Sequence, residues 1–393
     1  MNKTPNFEND GQLFDYVRKF DLNNIPSLEN IFSSYNFQFI SINELEDIIF
    51  NDNILLIDAR SEKEHKGTSI PGAINFPVLS TLERRNVGLI YKKYSQIASV
   101  KLAIEYSDPK IGNLNRFLIA GNAHSKNIIV YCWRGGGRSK YLTKLIQDLG
   151  YESKILIKGI KSYRNNVVKL FNLKPFPYKF LELRGMTGCG KSEILNKLKV
   201  KLPTIDLELA ARHFSSLFGQ IPYKIRDIEP VLSQASFENN IYEQFLYNKF
   251  LFRNNSIYLI ESESRKVGDF SIPINLYSDM ESSPFINIHS SLQSRVKRIE
   301  NDYFSDKERG IAEIMHILVL KEKFFRKEMS SRHYESAFHA LEKGCTRDFS
   351  EIMLTKYYDF KYRVKNRNPV ADICSDDIDN AICEVKEVYL GIN

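Results

Sequence analysis

The sequence predicts an α/β protein made of two successive parallel-sheet domains, the second running on into a helical C-terminal region. Three observations carry this expectation. Short apolar runs of strand length alternate with helical stretches from Phe37 to Ile288, the pattern of buried parallel strands joined by helical crossovers. Two of these runs end in glycine-rich loops that open directly into a helix. The chain also has 393 residues, beyond the roughly 250–300 at which single cores stop growing and chains divide.

Taken in order, residues 1–35 are polar and Asn-rich, with a weak amphipathic pattern from Leu13 to Phe20, and read as an extension or a short leading helix. The first domain is placed at 36–173. Its strands are Ile54–Ile57, ending in Asp58-Ala59-Arg60; Ile128–Tyr131, ending in Cys132; and Ile155–Ile157, ending in Lys158-Gly159. Function in such sheets lies at the carboxyl ends of the strands. Lys174-Pro175-Phe176-Pro177-Tyr178 reads as a linker, because both prolines resist helix continuation. The second domain, 174–290, has strands starting at Phe180, Thr204, Ile257 and Pro284. From 291 to 393 the chain reads as helical, polar-faced and rich in Lys, Arg, Phe and Tyr.

Composition sets limits. Hydrophobic residues at 43% and charged residues at 26% fit a folded soluble chain and exclude a disordered or fibrous one. A net charge of +7 permits a polyanionic partner without identifying one. The N-terminus has no apolar signal segment, and no run approaches the ~18 apolar residues of a membrane span. The five cysteines form no CxxC pair and no zinc spacing, so reduced thiols and a cytoplasmic location are expected.

The first glycine loop reads Tyr131-Cys132-Trp133-Arg134-Gly135-Gly136-Gly137-Arg138-Ser139. A cysteine between a buried strand and a helix N-terminus feels the positive end of the helix dipole, which favours the thiolate. Gly135, Gly136 and Gly137 let backbone N–H groups converge on one anion. Arg134 and Arg138 add charge-assisted donors, and Ser139 is expected to cap the following helix. Cys132 is thus the candidate nucleophile, with residues 134–139 as its anion cradle.

The second loop, Gly185-Met186-Thr187-Gly188-Cys189-Gly190-Lys191-Ser192, fits G-x-x-x-x-G-K-[ST] in the required strand-to-helix setting. Its glycines can wrap a diphosphate, Lys191 can neutralise phosphate oxygens, and Ser192 can bind Mg²⁺. Carboxylates at strand ends, Asp206, Glu261 and Glu263, are candidates for an acid, a base or a metal ligand.

Asp58-Ala59-Arg60, Glu64, Gly67 and Ile70-Pro71-Gly72-Ala73-Ile74-Asn75, together with the Cys132 loop, resemble the rhodanese family. Ser69 departs from it where many members have histidine. Five residues separate Cys132 from Arg138, as in dual-specificity phosphatases on this fold, whereas single-domain sulfurtransferases typically have four. The longer loop would admit a tetrahedral oxyanion. A rhodanese-type sulfurtransferase or a Cys-x5-Arg phosphatase, attached to a nucleotide-binding regulatory domain, is therefore the alternative reading.

A rhodanese domain joined to a P-loop domain resembles the tRNA 2-selenouridine synthase family, and the resemblance runs from about Asn51 to Lys365. It is carried by Glu83-Arg84, Val87-Gly88, Tyr91-Lys92, the Cys132 loop, Asp206-Leu207-Glu208, His213, Ser216, Phe218-Gly219, Ser233-Gln234, Phe237-Glu238, Glu261, Glu263-Ser264-Arg265, Gly268, Ile272-Pro273, and Tyr357-Tyr358-Asp359 with Tyr362. Phe214-Ser215, Ser262 and Phe360 depart from it, where Arg-Gly, Asp and Pro are expected. The resemblance implies replacement of sulfur by selenium in a 5-substituted 2-thiouridine at the tRNA wobble position. Its co-substrates would be selenophosphate, near Cys132, and geranyl diphosphate, at the P-loop, through an S-geranyl intermediate. It also implies tRNA and a selenophosphate-supplying enzyme as partners, with Arg295, Lys297, Arg298, Lys321–Lys327 and Lys361–Lys365 as candidate tRNA contacts.

Overall fold

The computed structural model describes residues 5–253, 257–362 and 367–392. The chain forms two compact units, 1–168 and 169–393. Among the described residues no helix is long and apolar enough to cross a membrane.

The first unit is a five-stranded sheet of β1 (Gln38–Ile40), β2 (Ile54–Asp58), β3 (Ile74–Asn75), β4 (Asn127–Tyr131) and β5 (Ser153–Leu156), in the order β1-β5-β4-β2-β3. Every pairing is parallel. β4 is the middle strand and is buried from Ile128 to Tyr131, so its carboxyl end delivers Cys132 to the centre of the sheet edge. Leu13 and Val17 of the leading helix Asp10–Val17 join the same apolar core as Leu55, Ile57 and Val130. The weak amphipathic pattern near the N-terminus is therefore a packing face.

A buried ion pair shapes the turn after β2. Asp58 and Arg60 are both essentially unexposed and meet at 2.6 Å, and Arg60 Nη2 also donates to the Thr68 carbonyl at 2.6 Å. Burial opposes the charged form of Asp58, but hydrogen bonds from His65 and Arg60 hold its carboxyl below the usual range. Asn75 Nδ2 donates to the carbonyls of Asp58 and Arg60. The short helix Glu62–Gly67 is set by this turn and carries Glu64.

The second unit has β6 (Lys179–Arg184), β7 (Thr204–Ile205), β8 (Ile257–Glu261), β11 (Phe285–His289) and β12 (Ala371–Cys374) in the order β12-β11-β6-β8-β7, all parallel. β9 (Lys266–Val267) and β10 (Phe270–Ser271) form a separate antiparallel pair. β6 is central and ends at the P-loop. The region expected to be helical from residue 291 onward is mainly helical, in helices between Leu292 and Lys361 and again from Ile378 to Ile392, with one strand between them. Its helices from Leu292 build a second core with Phe218, Ile221, Phe304, Phe325 and Phe349, and the chain then returns as β12 to pair with β11. The following helix Ile378–Ile392 buries Ala381, Val385 and Tyr389 in the P-loop core.

Leu13 is 1% exposed. Leu13→Ala should therefore cost about 2–5 kcal/mol of stability, as large-to-small core substitutions do. Chemical denaturation measures this, and a loss typical of a solvent-facing position would detach the leading helix from the first core.

Candidate active site and phosphate-binding loop

Cys132 follows β4 directly and is 4% exposed. Its Sγ lies 3.3 Å from Ser139 Oγ, and Ser139 Oγ also contacts the Gly136 carbonyl at 3.0 Å. The expectation that Ser139 caps the helix is corrected: Gly136 is the N-cap of Gly137–Asp148. Ser139 is instead buried one turn in, because the three glycines let the helix start earlier. Among the described residues the N–H groups of Trp133, Arg134, Gly135 and Gly136 find no backbone acceptor, so they are donors available to an anion. Gly159 explains the close packing below the loop: a Cβ there, at φ +54°, would lie 2.2 Å from the Cys132 carbonyl oxygen.

The two arginines differ. Arg138 is gripped by Glu64, with contacts of 2.6 and 3.2 Å, and Arg84 approaches the same carboxylate at 3.0 Å. Burial opposes the charge on Glu64, but Arg138 and Arg84 keep its carboxyl below the usual range. Arg134 is exposed. Glu64 comes from the turn organised by Asp58 and Arg60, so that buried pair positions the guanidinium of Arg138.

In the second unit, Gly190 is the N-cap of helix Lys191–Leu198, and Lys191 Nζ donates to the Gly185 carbonyl at 3.0 Å. Gly185 allows a close approach, since a Cβ there would meet the Ile288 carbonyl oxygen at 2.1 Å. The N–H groups of Thr187, Gly188 and Gly190 have no backbone acceptor among the described residues. Cys189 is buried, with Sγ 4.0 Å from Lys191 Nζ. Burial alone would lower the Lys191 pKa, but Cys189, Glu263, Glu208 and Glu261 outweigh it and hold the pKa above its usual value.

Ser192 Oγ lies within hydrogen-bond distance of both Glu208, at 3.1 Å, and Glu261, at 3.0 Å. Glu208, Glu261 and Glu263 each bring a carboxylate oxygen within 4.8 Å of the others. The sequence marks Glu208 only as part of a resemblance, and its position three residues after the short strand β7 is the available signal. Asp206 plays a different role from a free ligand: it caps helix Leu207–Ala211 by accepting from Leu209 N at 2.7 Å. Ser262, where an acid was expected, is not a member of the cluster. Burial, and then the charge of Glu261, raises the carboxyl groups of Asp206 and Glu208 well above their usual range, and pushes Glu263 up to about 8.

Two arginines expected to meet tRNA are committed to the P-loop instead. Arg295 is 5% exposed, donates from Nε to the Thr187 carbonyl at 2.8 Å and pairs with Asp359 at 2.5 Å. Arg298 donates to the Gly188 carbonyl at 3.3 Å and pairs with Glu193 at 3.2 Å. Lys297, Lys321, Lys323 and Lys327 remain exposed. Lys361 pairs with Glu328 at 2.8 Å, while Lys365 lies outside the described residues.

The acidic cluster carries a pH signature. Folded Glu263 keeps its proton up to about pH 8, whereas the unfolded chain releases it near 4.5. This proton favours folding at low pH, and the advantage is lost as pH rises through that window. Denaturation stability should fall more steeply with pH from about 4.5 to 8 in the wild type than in Glu263→Gln; equal slopes would contradict the placement of Glu263 in the acidic cluster.

Comparison with known proteins follows the same division. Residues 178–388 match the family model of the tRNA 2-selenouridine synthase AAA domain, and residues 41–166 match the rhodanese-like domain. A tRNA 2-selenouridine synthase of Bdellovibrio bacteriovorus is 34% identical over 260 residues, 65% of this chain and 66% of the relative. One from Pseudomonas aeruginosa is 33% identical over 261 residues, 66% of this chain and 68% of the relative. One from a Shewanella species is 26% identical over 341 residues, 81% of this chain and 89% of the relative. The chain thus spans about two thirds of the length of the first two relatives. With the family model covering more than half of its residues, the chain belongs to the tRNA 2-selenouridine synthase family.

Proposed function

We propose that this protein replaces sulfur by selenium in 5-substituted 2-thiouridine at the tRNA wobble position, first attaching a geranyl group from geranyl diphosphate and then using selenophosphate. The observation that carries the reading is that a chain of this family keeps both cradles intact, Cys132 with its donor loop and Lys191-Ser192 with theirs. The enzyme is on this reading a transferase that acts on tRNA in the cytoplasm, supplied by a selenophosphate-making partner.

The first cradle suits a tetrahedral selenophosphate. The unpaired N–H groups of residues 133–136 and the exposed Arg134 can bind its oxygens. Arg138, held by Glu64, supplies fixed positive charge at the helix start. Ser139, at 3.3 Å from the sulfur, can donate to a Cys132 thiolate and keep it aimed at the selenium.

The second cradle suits the diphosphate of a prenyl donor. Lys191 stays charged and can stabilise the leaving diphosphate electrostatically. An apolar cavity lined by Phe218, Tyr303, Phe304, Phe349 and Met353 borders Thr187 of the loop, so a ligand whose phosphates sit in the loop meets hydrocarbon at its rim. The cavity is small, ≈ 30 Å³, and a whole prenyl chain enters only if these side chains part.

Magnesium fits the donor set here. Glu208, Glu261, Glu263 and Ser192 offer hard oxygen ligands, and the carboxyls of Glu208 and Glu263, raised above their usual range, gain from a cation among them. These residues would hold the ion, which would supply Lewis-acid neutralisation of phosphate charge.

Nucleoside analysis of thiolated tRNA separates the two steps. Cys132→Ala should lose selenation while still geranylating the thiouridine, and a Cys132→Ala enzyme that still makes selenouridine would remove the thiol from the mechanism. Lys191→Ala should slow geranylation by about 10²–10³-fold, the cost of removing one strong transition-state donor. An unchanged rate would contradict the diphosphate assignment. Thiosulfate or aryl-phosphate turnover that needs no tRNA would favour the sulfurtransferase or phosphatase alternative.

A further inference from the structure

We propose that Trp133, with Lys158 and Lys161 beside it, forms a stacking platform for an unpaired RNA base next to Cys132. The proposal rests on the tRNA reading above and names a binding element for that substrate.

Trp133 is the single tryptophan of the chain and is 44% exposed. Tryptophan is highly buried on average, although one exposed apolar side chain is by itself unremarkable on a protein surface. What separates Trp133 from an ordinary surface residue is its fixed backbone and its company. Its carbonyl accepts from Lys161 N at 3.3 Å, and the Cys132 carbonyl accepts from Ile160 N at 2.9 Å. A Cβ on Gly159 would lie 2.9 Å from the Trp133 carbonyl carbon, and one on Gly135 2.8 Å from the Leu156 carbonyl oxygen. The Cys132 loop and the turn after β5 are thus backbone to backbone, with no side chain between them.

That turn presents cations. Lys158 has φ 60°, a left-handed conformation that non-glycine residues adopt uncommonly. Lys158 and Lys161 are both exposed, and among the described residues neither has an ion-pair partner. By contrast, Arg138 pairs with Glu64, Lys110 with Glu83 and Lys144 with Asp148. An exposed indole on a rigid loop, beside unneutralised lysines, suits single-stranded nucleic acid. Aromatic rings stack on splayed-out bases and lysines follow the phosphates. A duplex, whose bases are already stacked, gains nothing from the indole.

The lone tryptophan makes the test direct, because all indole emission of the full chain comes from Trp133. The probes are an anticodon stem-loop RNA with 2-thiouridine at the wobble position and a blunt duplex of the same stem. The stem-loop should change the emission on saturation, and the duplex should not. By fluorescence anisotropy of labelled stem-loop, Trp133→Ala should bind about tenfold more weakly, with Trp133→Phe recovering most of the affinity. Lys158→Ala with Lys161→Ala should flatten the salt dependence of binding. If the stem-loop binds but emission stays constant and Trp133→Ala binds equally well, the platform is wrong while the tRNA reading stands. If the wild type binds no stem-loop, the tRNA reading falls and the platform with it. Unchanged thermal unfolding of Trp133→Ala confirms that a weaker variant is still folded, and emission moved only by a protein partner would overturn the choice of RNA.

Discussion

In each unit the middle strand of a parallel sheet stops where a helix must begin, and among the described residues several amide N–H groups of the turn have no backbone carbonyl to bond. A buried strand cannot bend aside, and a helix start cannot bond its own first amides. The chain therefore leaves a ring of donors at a fixed place, and an anion is their natural partner. At residues 133–136 these donors lie beside a thiol, and at residues 187, 188 and 190 beside a half-buried lysine. The chemistry assigned to the protein depends on those two sets of unpaired amides.

Holding the rings open takes support from distant parts of the chain. Arg138 is fixed by Glu64, 74 residues away, and Glu64 is placed by a turn built on the buried Asp58–Arg60 pair. The P-loop carbonyls of Thr187 and Gly188 are held by Arg295 and Arg298, and Asp359 anchors Arg295 in turn. These arginines face inward, so they brace the phosphate loop and do not form part of a surface for RNA.

The central strands were legible because four or five consecutive apolar residues can only be buried, and both cradles were legible because their residues are contiguous. β1, β3 and β12 were not read from the sequence. They are edge strands of two to four residues, and Ala371-Asp372-Ile373-Cys374 carries too little periodicity to mark a strand. The acidic cluster was read only in part, because Glu208 and Glu261 lie 53 residues apart and meet only through sheet order. The inward turn of Arg295 and Arg298 was hidden for the same reason, since composition cannot distinguish a bracing arginine from a solvated one.

Mass spectrometry of tRNA nucleosides tests the central claim most directly. Wild-type protein would be given thiolated tRNA and geranyl diphosphate, and then selenophosphate. The account predicts that 2-thiouridine is first converted to its S-geranyl form and that this form then becomes 2-selenouridine. Thiouridine left unchanged through both additions would contradict it.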